Sequence, residues 1–254
     1  MAQHHKDAHP DTLAQLESLG DRLAHWVSAN PLIVLGTAGA ILLIAAGLGG
    51  ARAWRASSAN EASAALATIQ REYVTAMGGE SLGAEVPEPA NPETARQVRT
   101  DFVERFARFA REHEGTPAQA LAALEASRIY EALGAPEPAR AIVQSAADAL
   151  PEDSPMRGVV LQRVAALAEA AGDYEAAARA HLAAADTPGY PLRSEALADA
   201  ARTWADAGRP DEALALYARL QVEAPDYRMP PYIQARLAEL HAGTQPAEGG
   251  AAAP

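Results

Sequence analysis

The chain has 254 residues, a net charge of −12 and no cysteine. The missing cysteine excludes disulfides, thiolate catalysis and cysteine-based metal centres, and the acidic balance opposes docking to nucleic-acid phosphates or anionic lipid headgroups. Aromatic residues make up only 5% of a chain rich in alanine, which suits close-packed helices because alanine loses no side-chain entropy and lets helix axes approach.

Residues 1–29 are expected to form a polar, amphipathic leader. His4, His5 and His9 stand beside Asp7 and Asp11. Such side chains bind divalent metals, but a polar tail fixes no coordination geometry, and no metal site is assigned. Thr12 and Gln15 have the spacing of a capping box, and behind them Leu13, Leu16, Leu19, Leu23 and Trp26 share one helical face.

From Leu23 to Ala51 there is no Asp, Glu, Lys or Arg. The apolar part, Pro31 to Ala51, is 21 residues long. As a helix it measures about 31 Å, close to the hydrocarbon thickness of a bilayer. Trp26 and Trp54 flank it at headgroup depth, and Asn30 followed by Pro31 makes a helix start. Residues 30–51 are therefore expected to be a single transmembrane helix. A cleaved signal peptide would carry a shorter apolar region behind a basic start. Gly36 with Ala40, and Gly47 with Ala51, have the small-xxx-small spacing that admits close contact with a partner helix. Arg52 and Arg55 just beyond the span outnumber Arg22 before it, which by the positive-inside rule places the C-terminal part in the cytoplasm; long domains, however, are exported regardless of so small a bias.

Residues 52–77 are expected to be a membrane-proximal helix, with Ser58 and Glu61 at cap spacing, stopped by Gly78-Gly79. Residues 78–91 read as a linker by their Gly and Pro content. Asn91-Pro92 opens the next helix, whose apolar stripe is Val98, Phe102, Phe106 and Phe109.

Within residues 92–241 there is an internal repeat, followed by a disordered tail over 242–254. Pro117, Pro155 and Pro191 each open a helix, and Gly134, Gly172 and Gly208 each end one, all at separations of 38 and 36. A second helix starts shortly after each Gly. Seven residues before it stands a small residue (Ser127, Ala165, Ala201), four before it Tyr130, Ala168 or Trp204, and five after it Ala139, Ala177 or Ala213. Hairpins of this size cannot bury an apolar stripe alone, so they must stack. The pattern resembles the tetratricopeptide repeat, most recognisably in Ala171-Gly-Asp-Tyr-Glu-Ala-Ala177. The fold expected is all-α: one transmembrane helix followed by an α-solenoid of about three tetratricopeptide-like hairpins.

The layout also resembles a narrower family, the YfgM-type ancillary subunit of the bacterial SecYEG translocon. The residues that carry this are Trp54-Arg55 closing the span, Ala62-Ser-Ala-Ala-Leu66 and Phe106-Ala-Arg-Phe-Ala110. The chain departs from that family in its Gly78–Pro92 insertion and its weak N-side positive charge. The resemblance implies a single-pass protein of the bacterial inner membrane with periplasmic repeats. It also implies a scaffold or chaperone-like adaptor whose partners are translocon subunits, exported clients or periplasmic chaperones. An anchored scaffold for cell division or a secretion apparatus is the alternative.

The inner face of each first helix is expected to carry the residues thirteen and six before each Gly: Leu121 and Arg128, Val159 and Ala166, Glu195 and Arg202, with Gln162 and Asp206 on the same side. Arg128 and Arg202 are the pair expected to clasp a peptide carboxylate bidentately. His181, which takes the place of Tyr217 in the next repeat, reads as a packing residue. No glycine-rich phosphate loop follows a strand, and the carboxylates form no repeated acid–base pair. No enzyme activity, cofactor, small-molecule substrate or nucleic-acid ligand is expected.

Overall fold

The structure is a computed structural model that describes residues 59–79 and 86–244. Among these there are nine helices and no strand. The helices are α1 (59–76), α2 (Pro92–Glu112), α3 (Pro117–Ala132), α4 (Pro136–Ala149), α5 (Pro155–Ala170), α6 (Tyr174–Ala185), α7 (Arg193–Asp206), α8 (Pro210–Glu223) and α9 (Pro231–Thr244). Among the described residues no helix is long and apolar enough to cross a membrane. The expected span over 30–51, with Gly36, Ala40, Gly47 and Ala51, lies outside them, as do the leader and most of the tail.

The hairpins are cut by one repeated backbone device. Gly134, Gly172 and Gly208 have φ of +74°, +76° and +75°, a left-handed conformation that costs glycine nothing and other residues a Cβ clash. Each glycine N–H bonds back to the helix (Gly134 to Glu131, Gly172 to Glu169, Gly208 to Ala205). The next N–H reaches one residue further (Ala135 to Tyr130, Asp173 to Ala168, Arg209 to Trp204). This is a Schellman closure, made three times. It is also made a fourth time, at Gly78 (φ +93°), where Gly78 bonds to Thr75 and Gly79 to Val74. Helices α1 and α2 thus form a further hairpin ahead of the three in the sequence repeat. The Tyr73 ring on α1 lies 5.4 Å from Phe102 and 6.0 Å from Phe106 on α2.

Helix starts follow the expected chemistry. Asn91 Oδ1 accepts from the Glu93 N–H and Thr116 Oγ1 from the Gln119 N–H, and Pro stands at the start of α2, α3, α4, α5 and α8. Pro191 is the exception: it sits in the turn before α7, which begins at Arg193. The turn residues Pro188, Gly189 and Tyr190 displace the helix start by two positions from the other repeats.

The contact positions are buried as the register requires. Ala139, Ala177 and Ala213 are fully buried, as are Ser127, Ala165 and Ala201. Phe102, Phe106 and Phe109 join the same core, with Val98 packed at its edge. Neighbouring hairpins are also tied by arginine–carboxylate pairs one repeat apart, Arg163 to Glu131, Arg202 to Glu169, Arg140 to Asp173 and Arg219 to Asp186, with sequence separations of 32 or 33, while Arg105 pairs with Glu72 within the α1–α2 hairpin. Each pair is partly exposed and individually modest.

Candidate functional site

First helices α5, α7 and α9 present one face toward a cavity of about 500 Å³. Its walls are Val159 and Gln162 from α5, Glu195 and Asp199 from α7, and Tyr232 and Ile233 from α9. Tyr190, Leu192, Tyr227 and Pro230 come from the turns between hairpins. Gly158 explains why an aromatic floor fits here. A Cβ at 158 would come within 2.5 Å of the Tyr190 ring, so the absent side chain lets the ring lie against the α5 backbone. Leu192 and Tyr232 are 50% and 60% exposed, large apolar surfaces of which few are left open among the described residues.

Three tyrosines and two carboxylates meet in this groove, and no cation lines it. Burial pushes the Tyr190 and Tyr227 hydroxyls above the usual phenol value, and the negative charges of Glu195 and Asp199 push in the same direction. Glu195 and Asp199 lie four residues apart on α7, a spacing at which like charges repel.

Behind the groove runs a partly buried polar chain. Gln162, which lines the cavity with Tyr190, meets His181 Nδ1 through its side-chain oxygen. His181 Nε2 donates to Glu169 Oε1 at 2.7 Å. Arg202 Nη2 donates to both Glu169 oxygens at 2.8 and 3.0 Å. Burial works to raise the Glu169 carboxyl, but hydrogen bonds from Arg202 and His181 outweigh it and hold the group below its ordinary value. His181 is buried, as a packing residue would be, yet both ring nitrogens are engaged.

Of the residues expected to face a groove, Val159, Gln162 and Glu195 come together in this cavity, while Leu121, Arg128, Arg202 and Asp206 do not line it. Leu121 is 46% exposed on α3. The Arg128 side chain is open to solvent, with Glu125 Oε2 3.6 Å away. Arg202 is enclosed by three carboxylates: besides Glu169, Asp206 Oδ2 lies at 3.3 Å and Asp199 Oδ1 at 3.5 Å. Burial works to lower its guanidinium pKa, but the hydrogen bond to Glu169 and the charges of Glu169, Asp199 and Asp206 outweigh it and raise the value. Its hydrogen bonds are spent on its own fold. The cavity residues missed by the sequence reading are Asp199, one turn beyond Glu195 on α7, and Tyr190, Leu192, Tyr227, Pro230, Tyr232 and Ile233, which lie in or just beyond the turns between hairpins, where the glycine register gives no signal. Among the described residues no group of three His, Cys, Asp or Glu side chains is arranged to hold a metal.

The profile of the tetratricopeptide repeat-like domain family matches residues 24–242, and the chain belongs to that family. Among solved structures it is similar to the nearly identical TPR-like repeats of a candidate kinesin light chain from Podosopora anserina. The likeness has 20% identity and a TM-score of 0.46, covering 59% of this chain and 77% of that one. A point variant of the same repeats matches equally. A search of curated proteins returns no significant match.

Proposed function

We propose that the protein is a membrane-anchored adaptor that binds other proteins in the groove over α5, α7 and α9, and that it serves the Sec translocon in protein export. The observation that carries the binding role is the groove itself: an open, tyrosine-lined face of a tetratricopeptide repeat-like array, with Leu192 and Tyr232 exposed to a partner. The uncharged run from Leu23 to Ala51 supports the anchor. The YfgM-type layout supports the translocon and a periplasmic placement of the repeats.

A photo-crosslinking side chain at position 192, irradiated in intact bacterial membranes, tests the reading by mass spectrometry of the adducts. Translocon subunits and exported proteins in transit are the expected captures. Division or secretion-apparatus proteins in their place would move the assignment to another envelope assembly. A reporter active only after export, fused after Leu240, should be active; activity of a cytoplasmic reporter at the same site would reverse the orientation and endorse the Arg52 and Arg55 charge bias.

A further inference from the structure

The groove's charge sets what it can accept. An extended peptide brings backbone amides and side chains to a wall of Tyr190, Tyr227 and Tyr232, and any cationic side chain it carries meets Glu195 and Asp199. Asp199 is answered on one side by Arg202 Nε at 3.5 Å, whereas among the described residues no ion-pair partner reaches Glu195. The first turn of α7 gives the Glu195 charge a helix-dipole reason to exist. That reason fades a turn later at Asp199 and does not account for the three tyrosines that line the same cavity. Carboxylates beside tyrosine faces form a receptor for an ammonium or guanidinium group, combining charge-assisted hydrogen bonds with cation–π attraction.

Building on the protein-binding reading above, we infer that the groove selects extended peptide segments presenting a Lys or Arg side chain, the cation seated between Glu195, Asp199 and the tyrosine rings while apolar neighbours of the peptide rest on Val159, Leu192 and Ile233. An acidic segment is disfavoured at the same place, because Arg202 is already held by Glu169, Asp199 and Asp206.

The test uses the full chain in a neutral detergent at physiological salt, where surface charges are screened beyond roughly 8 Å. The probes are three fluorescein-labelled peptides of one Ala/Leu framework carrying two Lys, two Gln or two Glu. The Lys peptide should bind about tenfold tighter than the Gln peptide, as a partly shielded charged hydrogen bond allows, and the Glu peptide more weakly than either. Glu195→Gln should bring the Lys peptide to the Gln peptide's affinity. Glu137→Gln, an exposed change on α4 with the same step in net charge, should leave the preference intact. Tyr232→Ser should weaken the Lys and Gln peptides together. Equal binding of Lys and Gln peptides overturns the inference, as does an equal loss from Glu195→Gln and Glu137→Gln, which would reduce the effect to overall charge. If no peptide binds while position 192 still crosslinks proteins in membranes, cation selection falls and protein binding stands; if neither occurs, both fall.

Discussion

Two junctions between neighbouring hairpins share one register and differ in chemistry. Where α3–α4 meets α5–α6, Arg163 reaches back to Glu131 and to Ser127 Oγ at 3.1 Å, and the residue nine after the hairpin glycine is the fully buried Val143. Where α5–α6 meets α7–α8, Arg202 reaches back to Glu169, and the corresponding residue is His181, hydrogen-bonded to Glu169 and Gln162. The backbone is set by the same glycines and alanines in both. The polar chain is therefore an addition to the repeat and not part of what makes it fold, and it connects the clamp between hairpins to the groove through Gln162.

The largest expected effect falls on what the junctions have in common. Ala139→Leu, Ala177→Leu and Ala213→Leu each overpack a fully buried contact and should each cost about 1–3 kcal/mol in urea unfolding. Glu175→Leu, at an exposed site whose pairs with Arg179 and Arg209 lie at 3.2 and 3.5 Å, should cost far less. Tolerance of leucine at one of the three alanines would mean that the register is not shared.

The next separates the junctions. Arg202→Met leaves Glu169 without its guanidinium partner and should cost about 2 kcal/mol, against about 1 kcal/mol for Arg163→Met. Equal losses would show the two clamps to be equivalent. The pH dependence sharpens this. The Glu169 carboxyl is held below its ordinary 4.5 in the folded state, so its contribution is fully present above that value and is lost as pH falls through the depressed folded value. Glu169→Gln should therefore be less stable than wild type at pH 7, by about 1–2 kcal/mol, with the two stability curves converging in acid. Curves that stay parallel from pH 7 to pH 3 would remove Glu169 from the acid response.

How much of this is legible in the sequence depends on whether a feature repeats. Gly134, Gly172 and Gly208 announce the hairpins, and the alanines five residues later announce the contacts, because close packing leaves the same small residue at the same offset. Gly78 closes a helix in the same way, but the insertion after it breaks the spacing, so the α1–α2 hairpin cannot be found by period. Arg202 is recognisable as facing inward, but its three carboxylate partners are not: Glu169 lies 33 residues away, and a register locates backbone while saying nothing of which charges meet. The groove tyrosines are further from reach, since Tyr190 and Tyr227 lie in turns and their convergence depends on the stacking of α5, α7 and α9 and on the missing Cβ at Gly158.

The smallest expected effect compares His181 with Tyr217, which occupy one repeat position in successive hairpins. Both are buried, at 5% and 2% exposure. Both His181 nitrogens have partners, whereas the Tyr217 hydroxyl has none among the described residues. Burial pushes that hydroxyl's pKa up to about 12, with Arg202 and Arg236 opposing and Asp206 adding to the rise. A buried donor without a partner has lost its hydration with nothing in exchange, so deleting it is neutral or favourable. Tyr217→Phe should thus leave stability unchanged or raise it by up to about 1 kcal/mol, while His181→Phe, which strands Gln162 and Glu169, should lower it by about 2 kcal/mol. Thermal unfolding of the two variants side by side decides the matter. Equal losses would mean that the Tyr217 hydroxyl is satisfied in solution and that the polar chain runs through both hairpins.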